Sequence, residues 1–190
     1  EKMTQFDLAV NFKNSFMDIT ISYFYNSVYD LINRDDKYEP YYNINSAVFS
    51  GIETVLKIKF GSFRYRVNLD MISGKNTSEE EAPGSYIEEM EYIPVYSLKN
   101  RFSYGGIKNL DLFMDLGITG LSYEYIEDED DIYQRTDVPG YLIMDLGVDY
   151  TFRNWTIFML IRNLTDTDYY TEINYPEPGR NITFGVKLHI

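Results

Sequence analysis

From Ile182 to Ile190 apolar and polar residues alternate without a break, with Ile182, Phe184, Val186, Leu188 and Ile190 on one side and Thr183, Gly185, Lys187 and His189 on the other. Successive side chains of an extended chain point to opposite faces, so this period of two predicts a strand whose faces meet different surroundings. The same period runs through Tyr141 to Phe152, where Leu142, Met144, Leu146, Val148, Tyr150 and Phe152 oppose Asp145, Gly147, Asp149 and Thr151. It recurs in Leu110 to Thr119, in Phe63 to Met71 and in Ile52 to Phe60. Gln5 to Phe12, Met17 to Asp30, Val95 to Tyr104 and Trp155 to Arg162 complete a set of nine predicted strands, in which charge is confined to one face.

The connections alternate in length. Short turns, rich in Gly, Asn and Ser as tight hairpins require, fall at Lys13 to Ser15, Gly61 and Ser62, Gly105 to Asn109, and Arg153 and Asn154. Long polar loops occupy Ile32 to Ser46, Lys75 to Ile93, Glu127 to Gly140 and Asp166 to Arg180. Strands about ten residues long, with short turns on one rim and long loops on the other, are the pattern of an all-β, transmembrane antiparallel β-barrel of the bacterial outer membrane. Its turns are expected to be periplasmic and its long loops extracellular.

Charge and aromatic content bear on the same choice. The four long loops hold 19 of the 30 acidic residues but 5 of the 17 basic ones, a net of −14, against +1 for everything else. A soluble sandwich has no reason to divide charge between the two ends of its strands, whereas a barrel whose loops face the medium does. At the opposite rim Phe12, Phe60, Phe63, Tyr104, Phe152 and Trp155 fall at strand ends beside the short turns, where an interfacial girdle belongs. No stretch approaches the roughly 20 apolar residues of a membrane helix. The absence of Cys excludes disulfides and thiolate chemistry. A net charge of −13 excludes nucleic acid as a natural partner, because phosphate binding needs a basic footprint.

A complete single-chain bacterial barrel has an even strand count with both ends on the periplasmic side. Here the first strand starts on the long-loop rim. Residues 1–190 are therefore expected to be the C-terminal portion of a larger barrel, with earlier strands upstream of Glu1. The run Asn163-Leu164-Thr165-Asp166, followed by Tyr169-Tyr170, Tyr175-Pro176, Pro178-Gly179-Arg180 and a strand containing Phe184-Gly185-Val186, resembles the C-terminal signature of TonB-dependent outer-membrane receptors. EKMTQFDLAVNF, YFYNSVYDLI and NINSAVFSGIETVLKIKF are similar to consecutive strands of the same family. That resemblance implies a barrel of about 22 strands with a plugged lumen, of which this chain holds the last nine or so. It implies import of a large, scarce ligand such as an iron-siderophore, haem or cobalamin, with energy delivered through the TonB complex. In the family the plug and the TonB-contacting segment are N-terminal and lie outside this sequence, and Ile190 stands where the family usually ends on an aromatic. The alternative is an unplugged outer-membrane barrel: a porin, adhesin or enzyme scaffold.

Tyr133, Arg135, Tyr169, Tyr170 and Arg180 lie in long loops, where Tyr and Arg offer rigid contact area and hydrogen bonds to a ligand; packing of the loops themselves is the plainer reading. On the charged face Lys57, Lys59, Arg64, Arg66, Lys99 and Arg101 have Asp111, Asp115, Asp145 and Asp149 on neighbouring strands. They are expected either to contact the plug or to pair with one another along a wet wall. The runs Glu127 to Asp131 and Glu79 to Glu81 read as solvated acidic loops, with divalent ions bridging them to lipopolysaccharide, since they lack the Gly-punctuated spacing of a calcium loop. Outer-membrane lipid and lipopolysaccharide are then the surroundings. His189 has no companion ligands and sits far from the loop rim, so no metal site, cofactor or catalytic set is expected. The tripeptides at Asn76, Asn154, Asn163 and Asn181 match a glycosylation sequon by chance.

Overall fold

A computed structural model of the protein describes residues 1–33, 42–78, 88–127 and 133–189, with side chains described for 1–31, 46–78, 88–126 and 134–189. Nine strands form one antiparallel sheet: β1 (Lys2–Lys13), β2 (Met17–Asn33), β3 (Tyr42–Phe60), β4 (Phe63–Asn76), β5 (Ser97–Ile107), β6 (Leu110–Thr119), β9 (Tyr141–Phe152), β10 (Trp155–Arg162) and β13 (Asn181–Leu188). They follow one another in chain order, and β1 and β13 are the two edges. Two hairpins stand apart from the sheet within its long connections. They are β7 (Ser122–Glu127) with β8 (Tyr133–Val138), and β11 (Tyr170–Glu172) with β12 (Tyr175–Pro176).

The expected nine-stranded antiparallel sheet is the observed one, with three differences of extent. Strands β2, β3 and β4 run farther than their alternation, into what reads in sequence as loop, because Leu31, Ile32 and Asn33 pair with Ile44, Asn43 and Tyr42, and Lys75 and Asn76 pair with Val48 and Ala47. The turn expected over Gly105 to Asn109 is shorter: β5 continues to Ile107 through a register shift after Tyr104. A bulge of this kind lets one strand carry extra residues without losing its place in the ladder. The β7/β8 pairing uses Ser122 to Glu127, whose alternation is too brief to stand out.

Register carries the two faces unbroken across the sheet. Ile58, Tyr65, Phe102, Met114, Leu146, Ile161 and Ile182 form one cross-strand row through successive pairings. One residue along, Lys57, Arg66, Arg101, Asp115 and Asp145 form the next row on the opposite face. Among the described residues the only buried hydrophobic ones are Ala47 and Val138, while Phe60, Phe63, Val10 and Phe184 are 79%, 59%, 66% and 70% exposed. A sheet with a continuous apolar face and no second layer over it has its core outside itself, so its natural solvent on that side is hydrocarbon. Among the described residues the apolar face carries one buried polar side chain, Asn100, and it is satisfied. Its Oδ1 accepts from the Tyr65 hydroxyl at 2.8 Å and its Nδ2 donates to the Leu116 carbonyl at 3.3 Å.

Candidate functional site

At the long-loop rim the β7/β8 hairpin is tied to the segment before β5. In β7, Tyr123 and Tyr125 point to one side and Glu124 to the other, as the period of a strand demands. The Tyr125 hydroxyl accepts the backbone N–H groups of Glu88 and Glu89 at 3.1 and 3.3 Å, and its own N–H donates to Glu91 Oε1 at 2.8 Å. Arg135, opposite Tyr125 in register, lies 3.6 Å over the Tyr123 ring and pairs with Glu89 at 2.9 Å. Glu124 joins three segments: Oε1 accepts the Tyr92 hydroxyl at 3.2 Å and Oε2 the Ile173 N–H at 2.9 Å. Tyr92 itself has φ 60°. Burial, then the charges of Glu124 and Glu91, push its phenol well above the usual range, so it holds its proton and donates.

The last long connection is a second built unit. Asn163, 3% exposed with φ 49°, donates its N–H to Asp145 Oδ1 at 2.8 Å and closes a small ring with Thr167 through both side-chain atoms, each at 2.9 Å. The Asp166 N–H donates to the Asn163 carbonyl at 2.9 Å, and Asp166 Oδ1 accepts the Arg180 N–H at 2.7 Å. The Arg180 guanidinium adds a bond to the Leu164 carbonyl at 3.4 Å and lies 3.6 Å from Asp166 Oδ2. The polar run before the last strand is thus a clasp that joins the end of β10 to the start of β13 and anchors both to β9.

Of the five loop residues singled out in sequence, Arg135 and Arg180 are engaged in these two latches. Tyr169 packs against Tyr141 with ring centroids 4.5 Å apart and planes tilted by 42°, its phenol pushed up by burial and then by Glu177, and Tyr170 is exposed. The Tyr133 side chain lies outside the described residues. No hydrogen bond, ion pair or ring contact joins Arg135, Tyr169 and Arg180 to one another among the described residues. The sequence reading missed Tyr92, Glu124, Tyr125 and Asp166 as partners, although Tyr-Glu-Tyr in β7 carries the right alternation. Glu79 to Glu81 and Asp128 to Asp131 lie outside the described residues.

On the half of the polar face nearer the short turns, β3, β4 and β5 carry cations and β6 and β9 carboxylates, while Glu53 and Asp70 oppose each other farther along β3 and β4 and Asp18 on β2 stands opposite Lys57. Lys57 and Lys59 on β3, Arg64 and Arg66 on β4, and Lys99 and Arg101 on β5 face Asp111 and Asp115 on β6 and Asp145 and Asp149 on β9. Within each block the register sets like against like: Lys57 with Arg66, Lys59 with Arg64, Arg66 with Arg101, Asp111 with Asp149, Asp115 with Asp145. The blocks meet at the β5/β6 seam. There Arg101 grips both oxygens of Asp115, at 2.6 Å from Nε, and Arg64 reaches Asp111 at 2.9 Å. Among the described residues Lys57, Lys59, Arg66 and Lys99 form no ion pair, so mutual pairing accounts for two of the six cations. Lys57, Lys59, Arg64, Arg66, Arg101 and Asp111 line an open concavity of about 570 Å³. His189 Nε2 hydrogen-bonds Thr156 Oγ1 at 2.9 Å, which in turn meets Thr151 Oγ1 at 2.9 Å, a small polar chain at the short-turn rim.

A long-stranded antiparallel sheet with one exposed apolar face, one charged face and its loops knitted at one end is the wall of a membrane-spanning β-barrel. The chain belongs to the family described as TonB dependent receptor-like, beta-barrel, whose model it matches over residues 1–164. Family members are transport receptors of the bacterial outer membrane rather than enzymes. Among solved structures it is similar to the FrpB iron transporter from Neisseria meningitidis, with TM-score 0.78, 12% identity, and 97% of this chain covering 30% of that one. It is also similar to the ferric-catecholate import receptor Fiu from E. coli K12, with TM-score 0.76, 13% identity, and coverage of 99% and 27%. The siderophore receptor PirA from Acinetobacter baumannii gives TM-score 0.74, 16% identity, and coverage of 97% and 31%. At such identities the likeness is one of fold, and the chain spans 27% to 31% of the length of these three structures.

Proposed function

We propose that this chain is the C-terminal wall of an outer-membrane receptor that actively imports a large, scarce ligand, an iron-siderophore, haem, cobalamin or similar compound, with TonB-coupled energy. The observation that carries the reading is the polar face. Among the described residues Lys57, Lys59, Arg66 and Lys99 form no ion pair although carboxylates stand on neighbouring strands, which suits a lumen filled by a plug whose contacts form and break during transport. A wall lining only water would do better with its charges interleaved. Lys57, Lys59, Arg64, Arg66, Lys99, Arg101, Asp111, Asp115, Asp145 and Asp149 are the plug contacts on this reading. Tyr133, Arg135, Tyr169, Tyr170 and Arg180 belong to the extracellular ligand-facing loops, Arg135 and Arg180 by holding those loops in shape. The plug, the earlier strands and the TonB-contacting segment lie outside residues 1–190.

The test is uptake of labelled ferric chelates, haem and cobalamin by cells carrying or lacking the full-length protein. Import of one of them that stops when TonB is deleted supports the reading. Passive, TonB-independent permeation of small solutes would replace it with the unplugged barrel.

A further inference from the structure

The short turns carry Lys13, Lys108 and Arg153 and no acidic residue, the reverse of the opposite rim. Arg153 opens the β9/β10 hairpin at φ 52°, in the left-handed region, where the β3/β4 hairpin has Gly61 at φ 56°. Such a conformation costs a side-chain-bearing residue on the order of 1 kcal/mol, so glycine is the natural occupant. An arginine held there against local preference points to a use for its charge. Its guanidinium carbon stands 5.2 Å from the Phe152 ring centroid. The β5/β6 turn is its neighbour, since the Thr151 N–H donates to the Asn109 carbonyl at 2.8 Å. Lys108 and Arg153 therefore rise from the ends of adjacent strands, whose backbones lie about 5 Å apart, and neither forms an ion pair among the described residues. Directly below, Phe152 and Trp155 face each other in register on the apolar face, 53% and 49% exposed.

We propose that Lys108 and Arg153 form a site for the phosphate diester of an anionic phospholipid in the leaflet at the short-turn rim, with Phe152 and Trp155 packing against its glycerol and upper acyl chain. The occupant is a lipid rather than a soluble phosphate because the cations are continuous with a surface that only acyl chains can cover. A single cation near an anionic leaflet strengthens binding by about fivefold. The proposal rests on the chain spanning a membrane, and it is independent of the imported ligand and of which side the short turns face.

The test uses the full-length protein purified from mixed phosphatidylglycerol and phosphatidylcholine vesicles, with the retained lipid measured by mass spectrometry. Wild type should retain phosphatidylglycerol preferentially. Lys108→Ala and Arg153→Gly should each lower that preference about fivefold, and together about twenty-five-fold, while Arg153→Lys keeps most of it. Arg153→Gly installs the residue the turn prefers, so its loss of lipid cannot be assigned to misfolding. An unchanged preference in the double variant overturns the proposal, and so does displacement of the lipid by inorganic phosphate. Loss of a co-purifying acidic protein with lipid retention unchanged would assign the cations to a protein contact instead. Failure of the wild type to insert into vesicles would overturn the membrane-wall reading itself.

Discussion

Asp166 reaches across the last long connection to Arg180, accepting its backbone N–H at 2.7 Å through Oδ1 while Oδ2 lies 3.6 Å from its guanidinium. The pair sets where β13 begins. A one-residue slip there would exchange the faces of the whole strand. Asp166 has φ 56°, which Asn tolerates and Ala does not. Asp166→Asn should keep the backbone bond and most folded protein, whereas Asp166→Ala should cost about 1 to 3 kcal/mol and lower the heat-modifiable fraction in membranes. Equal yields for the two would show that the start of β13 is set elsewhere.

Glu124 should hold three loop segments together, so that Glu124→Ala loosens residues 88–96 and 170–176 at once. Limited proteolysis of intact cells checks this: cuts in one segment without the other would mean the carboxylate links nothing across the rim.

Tyr92 makes that latch sensitive to alkali. Its phenol is raised above the ordinary value of about 10, so the folded loops bind the proton more tightly than a free chain does. The resulting stabilisation is whole below about pH 10 and is lost as pH rises beyond it. In a tyrosinate absorbance titration, the difference between wild type and Tyr92→Phe should appear only well above that point. A difference curve centred at the ordinary phenol value would remove the Tyr92–Glu124 hydrogen bond from the account.

Gly147 lies beneath Phe113, and a Cβ there would sit 2.0 Å from the ring, whereas a Cβ at Gly117 would meet nothing nearer than a carbonyl oxygen at 4.0 Å. Gly147→Ala should therefore destabilise the sheet by about 1 to 3 kcal/mol, and Gly117→Ala should leave it nearly unchanged. Denaturant midpoints of the two refolded variants decide the matter.

Phe184, 70% exposed on the apolar face, pairs with Met159, and Thr183 beside it points the other way. Phe184→Arg should cost about 2 to 4 kcal/mol in a membrane and cut the folded yield, while Thr183→Arg should not. Equal yields would deny that β13 separates hydrocarbon from water.

The strand count of the sheet, the face assignment and the two unlike rims are legible in the sequence. Each depends on a local period or on composition, and a residue such as Leu146 or Asp145 declares its face by its neighbours alone. What hydrogen-bonds across long separations is not. Nothing local in Tyr92, Glu124 or Ile173 says that they meet, because the intervening strands decide which loops stand side by side. The same holds for the polar wall, where alternation placed Lys57, Arg66 and Asp149 on one face and left plug contact and mutual pairing both open. Among the described residues the ladder sets like charges opposite one another from β3 to β5 and from β6 to β9, and Arg64 and Arg101 find carboxylates where those blocks meet, since register follows the apolar face, whose burial outweighs what exposed charges contribute.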